Sequence, residues 1–461
     1  MATYNPSNER NLLKEVVCPH CWHVFKPEDT LAIAESSDLY GDRKLGEMER
    51  TRFLPTEFDE RGFPVDAGGL SCKDYACPNC HLRLPLGALE APALFISIVG
   101  APATGKSYYL SSSTHTLRNV LPSKFCINFT DADSEMNRRV REYEDLQFFS
   151  GDQLVQLEKT EESGDLYDTV KIRGQNMTFP QPFVFTAHPT ADHPNYTRAE
   201  TVARTLCLYD NAGESYLPTK DADSSATPVT RHLAHSNSIF FIFDPTQDAR
   251  FRSVCREFSK DPQLLDLGKS SNVRRSPQRQ EAVLNEMSKR VRLYKRMKNT
   301  ERYQNPFVVI VGKYDVWSKL ISYEHEKMII KGMYKGRLYT FLNMTRVANL
   351  SKIVRDLLMK MTPEFVASVE SFASNVVYIP VSSTGRSPEL VETTEKNTKT
   401  CFRANQMKPK WSDVPMLYAL AKCAEGLVPV LTPNESADKK QGENDADEDA
   451  KSASNISLTK K

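Results

Sequence analysis

Six short apolar runs punctuate the middle of the chain: LFISIV (94–99), FVFT (183–186), LCLY (206–209), IFFIF (239–243), FVVIV (307–311) and VVYIPV (376–381). Runs this short, bounded by polar and turn residues, predict strands buried on both faces. Amphipathic stretches lie between most of them. The clearest, 276–298, opens with Ser276 and Pro277 and repeats Val283, Met287, Val291 and Tyr294 at helical spacing. Strands alternating with helices predict a mostly parallel sheet covered on both faces, with ligands at the carboxyl ends of its strands.

Three regions separate by pattern. Residues 1–92 have few long apolar runs, many turn residues and paired cysteines. Residues 93–430 carry the strand–helix alternation. Residues 433–461 have almost no large apolar side chains and a mostly acidic stretch before a Lys-Lys end, which predicts a disordered tail.

Composition narrows the class. Of 461 residues 40% are hydrophobic and 26% charged, which excludes a collagen, a coiled-coil rod and a wholly disordered chain. The 60 Lys+Arg against 59 Asp+Glu leave a formal charge of +1, so no global field favours nucleic acid or an anionic membrane. No apolar run approaches the ~18 residues of a membrane helix. The first 15 residues are polar, with no signal-peptide core, so the expected location is the cytoplasm.

Candidate chemistry begins with the cysteines. Cys18-Pro-His-Cys21 and Cys77-Pro-Asn-Cys80 are matching CxxC pairs, each presenting two thiolates from one tight turn. Together they supply the four soft ligands of a tetrahedral structural zinc. The residues between the pairs are too many for a compact ribbon, so the insert is expected to loop out as its own lobe. His20, His23, His81 and Cys72 lie nearby and are expected not to be ligands. Nucleic-acid binding by this ribbon is not excluded, but no aromatic-plus-basic cluster supports it.

Directly after the first apolar run stands GAPATGKS, residues 100–107, the P-loop (Walker A) pattern GxxxxGK[ST] in full. Gly100 and Gly105 permit the tight turn that aims backbone N–H groups at a phosphate chain. Lys106 is a mobile charge for the terminal phosphates, and the Ser107 hydroxyl suits Mg2+. The run LCLY ends in Asp210-Asn-Ala-Gly213. Asp210 is placed to hold Mg2+ through water, and Gly213 to donate its N–H to a γ-phosphate. After FVVIV comes Gly312-Lys313-Tyr-Asp315, which looks like the Asn/Thr-Lys-x-Asp base-recognition motif of GTPases. Asp315 would accept from the guanine N–H groups and the Lys313 stem would cover the base. Gly312 stands where Asn or Thr is usual, so a loop-steadying side chain is absent. Ser382-Ser383-Thr384, after the last run, sits where a Ser-Ala loop contacts the guanine oxygen, with Ser383 the expected contact.

For hydrolysis, a first-switch threonine is expected at Thr160, with Thr130 second. The position of the water-orienting Gln is held by Glu214, which predicts slow intrinsic turnover. The order of the motifs, each closing an apolar run, is that of a Ras-like GTPase. The expected fold is therefore α/β: a P-loop NTPase (Ras-like GTPase) sheet at 93–430, preceded by a small zinc-ribbon domain at 1–92. The helical stretch 288–298 is the one local concentration of basic residues, read as a solvated face.

The Cys18–Trp22 knuckle, the string CPNCHL at 77–82 and FISIVGAPATGKS at 95–107 together resemble the bacterial double-GTPase family of the TRAFAC GTPase class. That resemblance covers the chain except its tail. It implies a GTP-driven switch working beside partner proteins in multi-GTPase conflict or defence systems. Two other readings stay open on the residues: a P-loop ATPase or kinase in which Asp315 is incidental, and a nucleotide-binding assembly module without turnover. The oligomeric state is not set by the sequence.

Overall fold

The computed structural model describes residues 12–157, 167–210, 230–264, 280–323, 327–392 and 398–432. Its centre is a seven-stranded sheet. In chain order the strands are β1 (Ala93–Gly100), β2 (Ile127–Asp131), β3 (Phe183–Pro189), β4 (Arg204–Asp210), β5 (Ser238–Phe243), β6 (Phe307–Val311) and β7 (Val376–Pro380). In space they run β7-β6-β5-β1-β4-β3-β2. β1 pairs parallel with β4 and β5, and β6 parallel with β5 and β7. β3 pairs antiparallel with both β4 and β2, so it alone runs against the others. The fold is mixed α/β with a mostly parallel sheet.

All six apolar runs are strands of this sheet. The seventh, β2, is an edge strand whose residues alternate: Ile127 and Phe129 are buried, Asn128 and Thr130 exposed. The main helices are α1 (Lys106–Phe125), α2 (Arg138–Glu144), α3 (Gln280–Lys295), α4 (Met344–Met361), α5 (Pro363–Phe372) and α6 (Val414–Cys423). α3 buries Val283, Met287 and Val291 of the stripe its spacing predicts, with Leu284 beside them, while Tyr294 is half-buried. Of the basic stretch read as a solvated face, Lys289 and Lys295 are exposed, but Arg290 is buried and paired with Glu286 at 2.9 Å. The Asn343 side chain caps α4 by accepting from the Arg346 N–H, and Pro363 opens α5, where its missing N–H costs nothing. No helix among the described residues is long and apolar enough to cross a membrane.

The two faces of the sheet are covered differently. Side chains alternate along a strand. In β1 and β4, Leu94, Ile96, Ile98, Leu206 and Leu208 join the large core beneath the helices. Phe95, Cys207 and Tyr209 point the other way, into a second core shared with Val16, Trp22, Phe25 and Leu84. The N-terminal region thus covers a face that a helix covers elsewhere on the sheet. Its own strands are short: Val16–Val17 pairs with Val24–Phe25, and Leu31–Ile33 lies between Arg52–Phe53 and Tyr75–Ala76.

The insert does not stand clear as a lobe. Its hairpin, Tyr40–Asp42 with Gly46–Arg50, folds back on the second cysteine pair. Asp42 Oδ2 meets His81 Nδ1 at 2.7 Å, with both side chains buried, and Lys44 Nζ donates to the Asn79 carbonyl at 2.5 Å. A buried imidazole facing a buried carboxylate ties the hairpin down, since separating them would leave an unpaired polar group inside the protein.

Candidate functional site

At the carboxyl end of β1 the chain turns sharply into α1. A Cβ on Gly100 would lie 2.8 Å from Thr104 Oγ1 and 2.9 Å from the Ile242 carbonyl of β5, so only hydrogen fits. Ala103 and Gly105 adopt left-handed backbone, φ 61° and 89°. Gly105 needs no Cβ there, whereas Ala103 is a strained residue of the kind found at functional turns. Gly105 caps α1, so the helix begins at the cleft above the sheet, with the positive end of its dipole there. Lys106 is buried, and its ammonium donates to the Gly100 and Ala101 carbonyls at 3.2 Å each. The Ser107 hydroxyl donates to Asp210 Oδ2, the last residue of the neighbouring β4, at 3.4 Å.

β6 ends on the other side of the cleft. The Gly312 N–H donates to the Phe243 carbonyl at 2.8 Å, and the Trp317 indole donates to the Gly312 carbonyl at 2.8 Å. Trp317 therefore steadies the turn that Gly312 cannot steady by a side chain. Lys313, with φ 54°, sends its ammonium to Asp244 Oδ2 at 2.5 Å, to Thr246 Oγ1 at 2.9 Å and to Gln263 Oε1. Asp315 lines the cleft. Burial raises its carboxyl above the usual range, while the Ser382 hydroxyl, donating at 2.5 Å, works against that rise. Ser383 also lines the cleft, but it is Ser382 that holds Asp315. The loop carrying both is closed by Gly385, at φ 74°, where a Cβ would come 1.9 Å from the Lys408 carbonyl.

A third wall has no counterpart in the sequence pattern. Leu154–Val155 pairs with Thr398–Arg403, and this small sheet brings Leu157 and Phe402 over the cleft. The Tyr108 ring of α1 lies 5.3 Å from the Phe402 ring, and its hydroxyl accepts from the Leu157 N–H at 3.0 Å. Burial pushes that hydroxyl up to about 12. The walls together enclose a cleft of about 250 Å3.

Gly100, Gly105, Lys106, Ser107, Asp210, Lys313, Asp315 and Ser383 are thus gathered at one end of the sheet. Thr160, Gly213 and Glu214 lie outside the described residues. Thr130 is on the edge strand, its hydroxyl 2.8 Å from that of Thr186, and does not line the cleft.

On the second face of the sheet, Cys18, Cys21, Cys77 and Cys80 bring their sulfurs within 4.8 Å of one another. Cys18–Cys80 and Cys21–Cys77 are each 3.7 Å apart, too far for disulfides and close to the ~3.8 Å edge of a tetrahedron with Zn–S bonds of ~2.3 Å. The two pairs share one geometry. Trp22 and His81 each take left-handed backbone and donate N–H to the Cys18 and Cys77 carbonyls. The His20 and Asn79 N–H groups each point at the first sulfur of their pair, at 3.4 Å. Hydrogen bonds from Cys18, Cys77 and Cys80, with the Asn79 amide, hold Cys21 well below the usual thiol range. The cluster can bind zinc and leaves no open position on it. His20 and His81 are engaged elsewhere, with the Arg83 carbonyl and Asp42, and Cys72 faces the Leu70 carbonyl.

No protein-family model matches the chain. A similar protein is the putative ESX-1 scaffolding and assembly protein SaeC of Mycolicibacterium smegmatis, 29% identical over 174 residues. That match spans 37% of this chain and 37% of the relative's length.

Proposed function

We propose that the protein is a GTP-binding, slowly hydrolysing switch with a structural zinc ribbon at 1–92 and a Ras-like P-loop GTPase domain at 93–430. The observation that carries this reading is the convergence of residues 102–107, Lys313, Asp315 and Ser383 on one cleft at the carboxyl end of a mostly parallel sheet, with Asp210 joined to it through Ser107. The antiparallel β3 beside β4, next to the phosphate-loop strand, agrees with the strand order of Ras-like proteins. The same observation supports membership of the double-GTPase family.

In this reading the α1 N–H groups and Lys106 bind the phosphates. Ser107 and Asp210 hold Mg2+, which would neutralise the charge building between the outer phosphates. Asp315, aimed by Ser382, reads the guanine edge, and Tyr108 with Phe402 shields the cleft from water. Lys313 acts through Asp244 to fix the base-reading turn. Glu214 and Thr160 are the proposed catalytic residues beside Lys106. The scaffolding and assembly role in the relative's name favours work among partner proteins over a free-standing catalyst; the proposed location is the cytoplasm.

The test is competition. A fluorescent guanine nucleotide bound with Mg2+ is titrated with GTP, GDP and ATP, with Lys106→Ala as blank. Displacement by GTP and GDP alone is expected. Equal displacement by ATP would sink the guanine assignment and leave a P-loop ATPase.

A further inference from the structure

The four-cysteine cluster and Asp210 are joined by a short chain of buried contacts. Trp22 closes the first cysteine pair, and its indole N–H donates to the Tyr209 hydroxyl at 3.0 Å. That hydroxyl donates in turn to the Pro19 carbonyl, inside the pair itself, at 2.5 Å. Trp22 is 5% exposed and Tyr209 not at all. Tyr209 precedes Asp210 on β4, so strand alternation sends one side chain into the cysteine face and the next toward Ser107. Tyr209 and Asp210 thus share one peptide, which connects the two faces of the sheet.

The same two rings touch the chain beyond residues 211–229. Trp22 lies parallel to the His235 ring at 5.2 Å, and Tyr209 stacks on His232 at 4.9 Å. His232 Nδ1 is 2.5 Å from Ser97 Oγ on β1. The cysteine pair thus grips the protein both before and after that stretch.

We infer that Trp22 and Tyr209 are positioning residues that couple metal occupancy of the cysteine cluster to Mg2+–nucleotide binding at Asp210. This rests on the nucleotide reading above. A bound metal fixes the Pro19 carbonyl and the Trp22 indole, and these fix Tyr209. Linkage requires the reverse effect: Mg2+ and nucleotide at Asp210 must raise the equilibrium affinity of the cluster for its metal.

The experiment uses the full chain with its metal. Fluorescent GDP is bound at a series of Mg2+ concentrations in wild type, Trp22→Phe, Tyr209→Phe and Lys106→Ala. Separately, the equilibrium partition of zinc between the protein and a competing colorimetric chelator is measured with and without GDP and Mg2+. Tyr209→Phe keeps its ring and loses both hydrogen bonds of the hydroxyl, and Trp22→Phe keeps an aromatic ring and loses the indole N–H bond. They are expected to retain wild-type zinc content yet need about five- to tenfold more Mg2+ for half-maximal binding, the effect of a lost buried hydrogen bond. The zinc affinity of wild type is expected to rise several-fold with nucleotide, and in the variants to respond little.

Variants that bind nucleotide at the wild-type Mg2+ requirement overturn the coupling. So does wild-type zinc affinity indifferent to bound nucleotide, a result that decides the matter alone if a variant purifies without zinc. Wild type that binds GDP no better than Lys106→Ala overturns the nucleotide reading itself, and the coupling with it.

Discussion

Lys313 Nζ lies 2.5 Å from Asp244 Oδ2, and the Asp244 side chain has no exposed surface. The Thr246 N–H and hydroxyl complete that carboxylate's shell. Lys313 is therefore the counter-ion of a buried charge as well as a lining residue of the cleft. Lys313→Ala should cost about 3–5 kcal/mol in a denaturant titration without any nucleotide, because it strands a buried carboxylate. The double variant Lys313→Met with Asp244→Leu should recover much of that loss. If Lys313→Ala unfolds like wild type, the ion pair carries no stability.

Ser382 aims Asp315. Ser382→Ala should weaken GDP binding about five- to tenfold, a lost hydrogen bond to a carboxylate, and leave weak ATP binding unchanged. Asp315→Asn should remove the preference for guanine over adenine. Competition titrations on both variants read this directly, and equal losses for GDP and ATP would point to general damage to the loop.

Gly385→Ala tests the same loop from its backbone. The new methyl would enter at 1.9 Å from the Lys408 carbonyl, at a φ that side chains rarely adopt. A loss of at least about 2 kcal/mol is expected, combining clash and strain. Chemical unfolding would measure it, and a loss under half that would mean the 408–410 segment gives way freely.

Cys77→Ser should release the metal. Elemental analysis should fall from near one zinc per chain to near zero, with a large drop in melting temperature, because a structural zinc contributes folding energy outright. Wild type without zinc would refute the assignment at once.

His232 gives a pH dependence. Burial pushes it down to about 3 from its ordinary 6.5. Below pH 6.5 the unfolded chain binds a proton that the folded chain refuses, so stability falls on acidification. Between pH 6.5 and 5 this group alone should remove about 2 kcal/mol, at ~1.4 kcal/mol per pH unit. Melts of wild type and His232→Asn across that range should show a shallower slope in the variant. Parallel slopes would mean another group carries the acid sensitivity.

The sheet was legible because its central strands are short and apolar on both faces, as Ile239 to Phe243 show. Edge strand β2 was not, since half its residues face water and its pattern resembles a loop. The 100–107 turn and the cysteine pairs were legible because their chemistry depends on local spacing. Contacts such as Lys313 with Asp244, Tyr108 with Phe402 and Trp22 with Tyr209 join distant parts of the chain, and no local period encodes them. The insert was expected to stand clear for the same reason: Asp42 and His81 carry no mark that they will meet.

The seating of the N-terminal region on the sheet also sets an order of assembly during synthesis. Cys80 follows Cys18 by 62 residues, so the metal site is complete while most of the sheet is unmade. Tyr209 follows Cys80 by 129 residues. At ribosomal rates that is a wait on the order of 6–26 s. A metal-closed N-terminal region would spend it as a preformed seat, with Trp22 and Phe25 presented to the strands as they emerge.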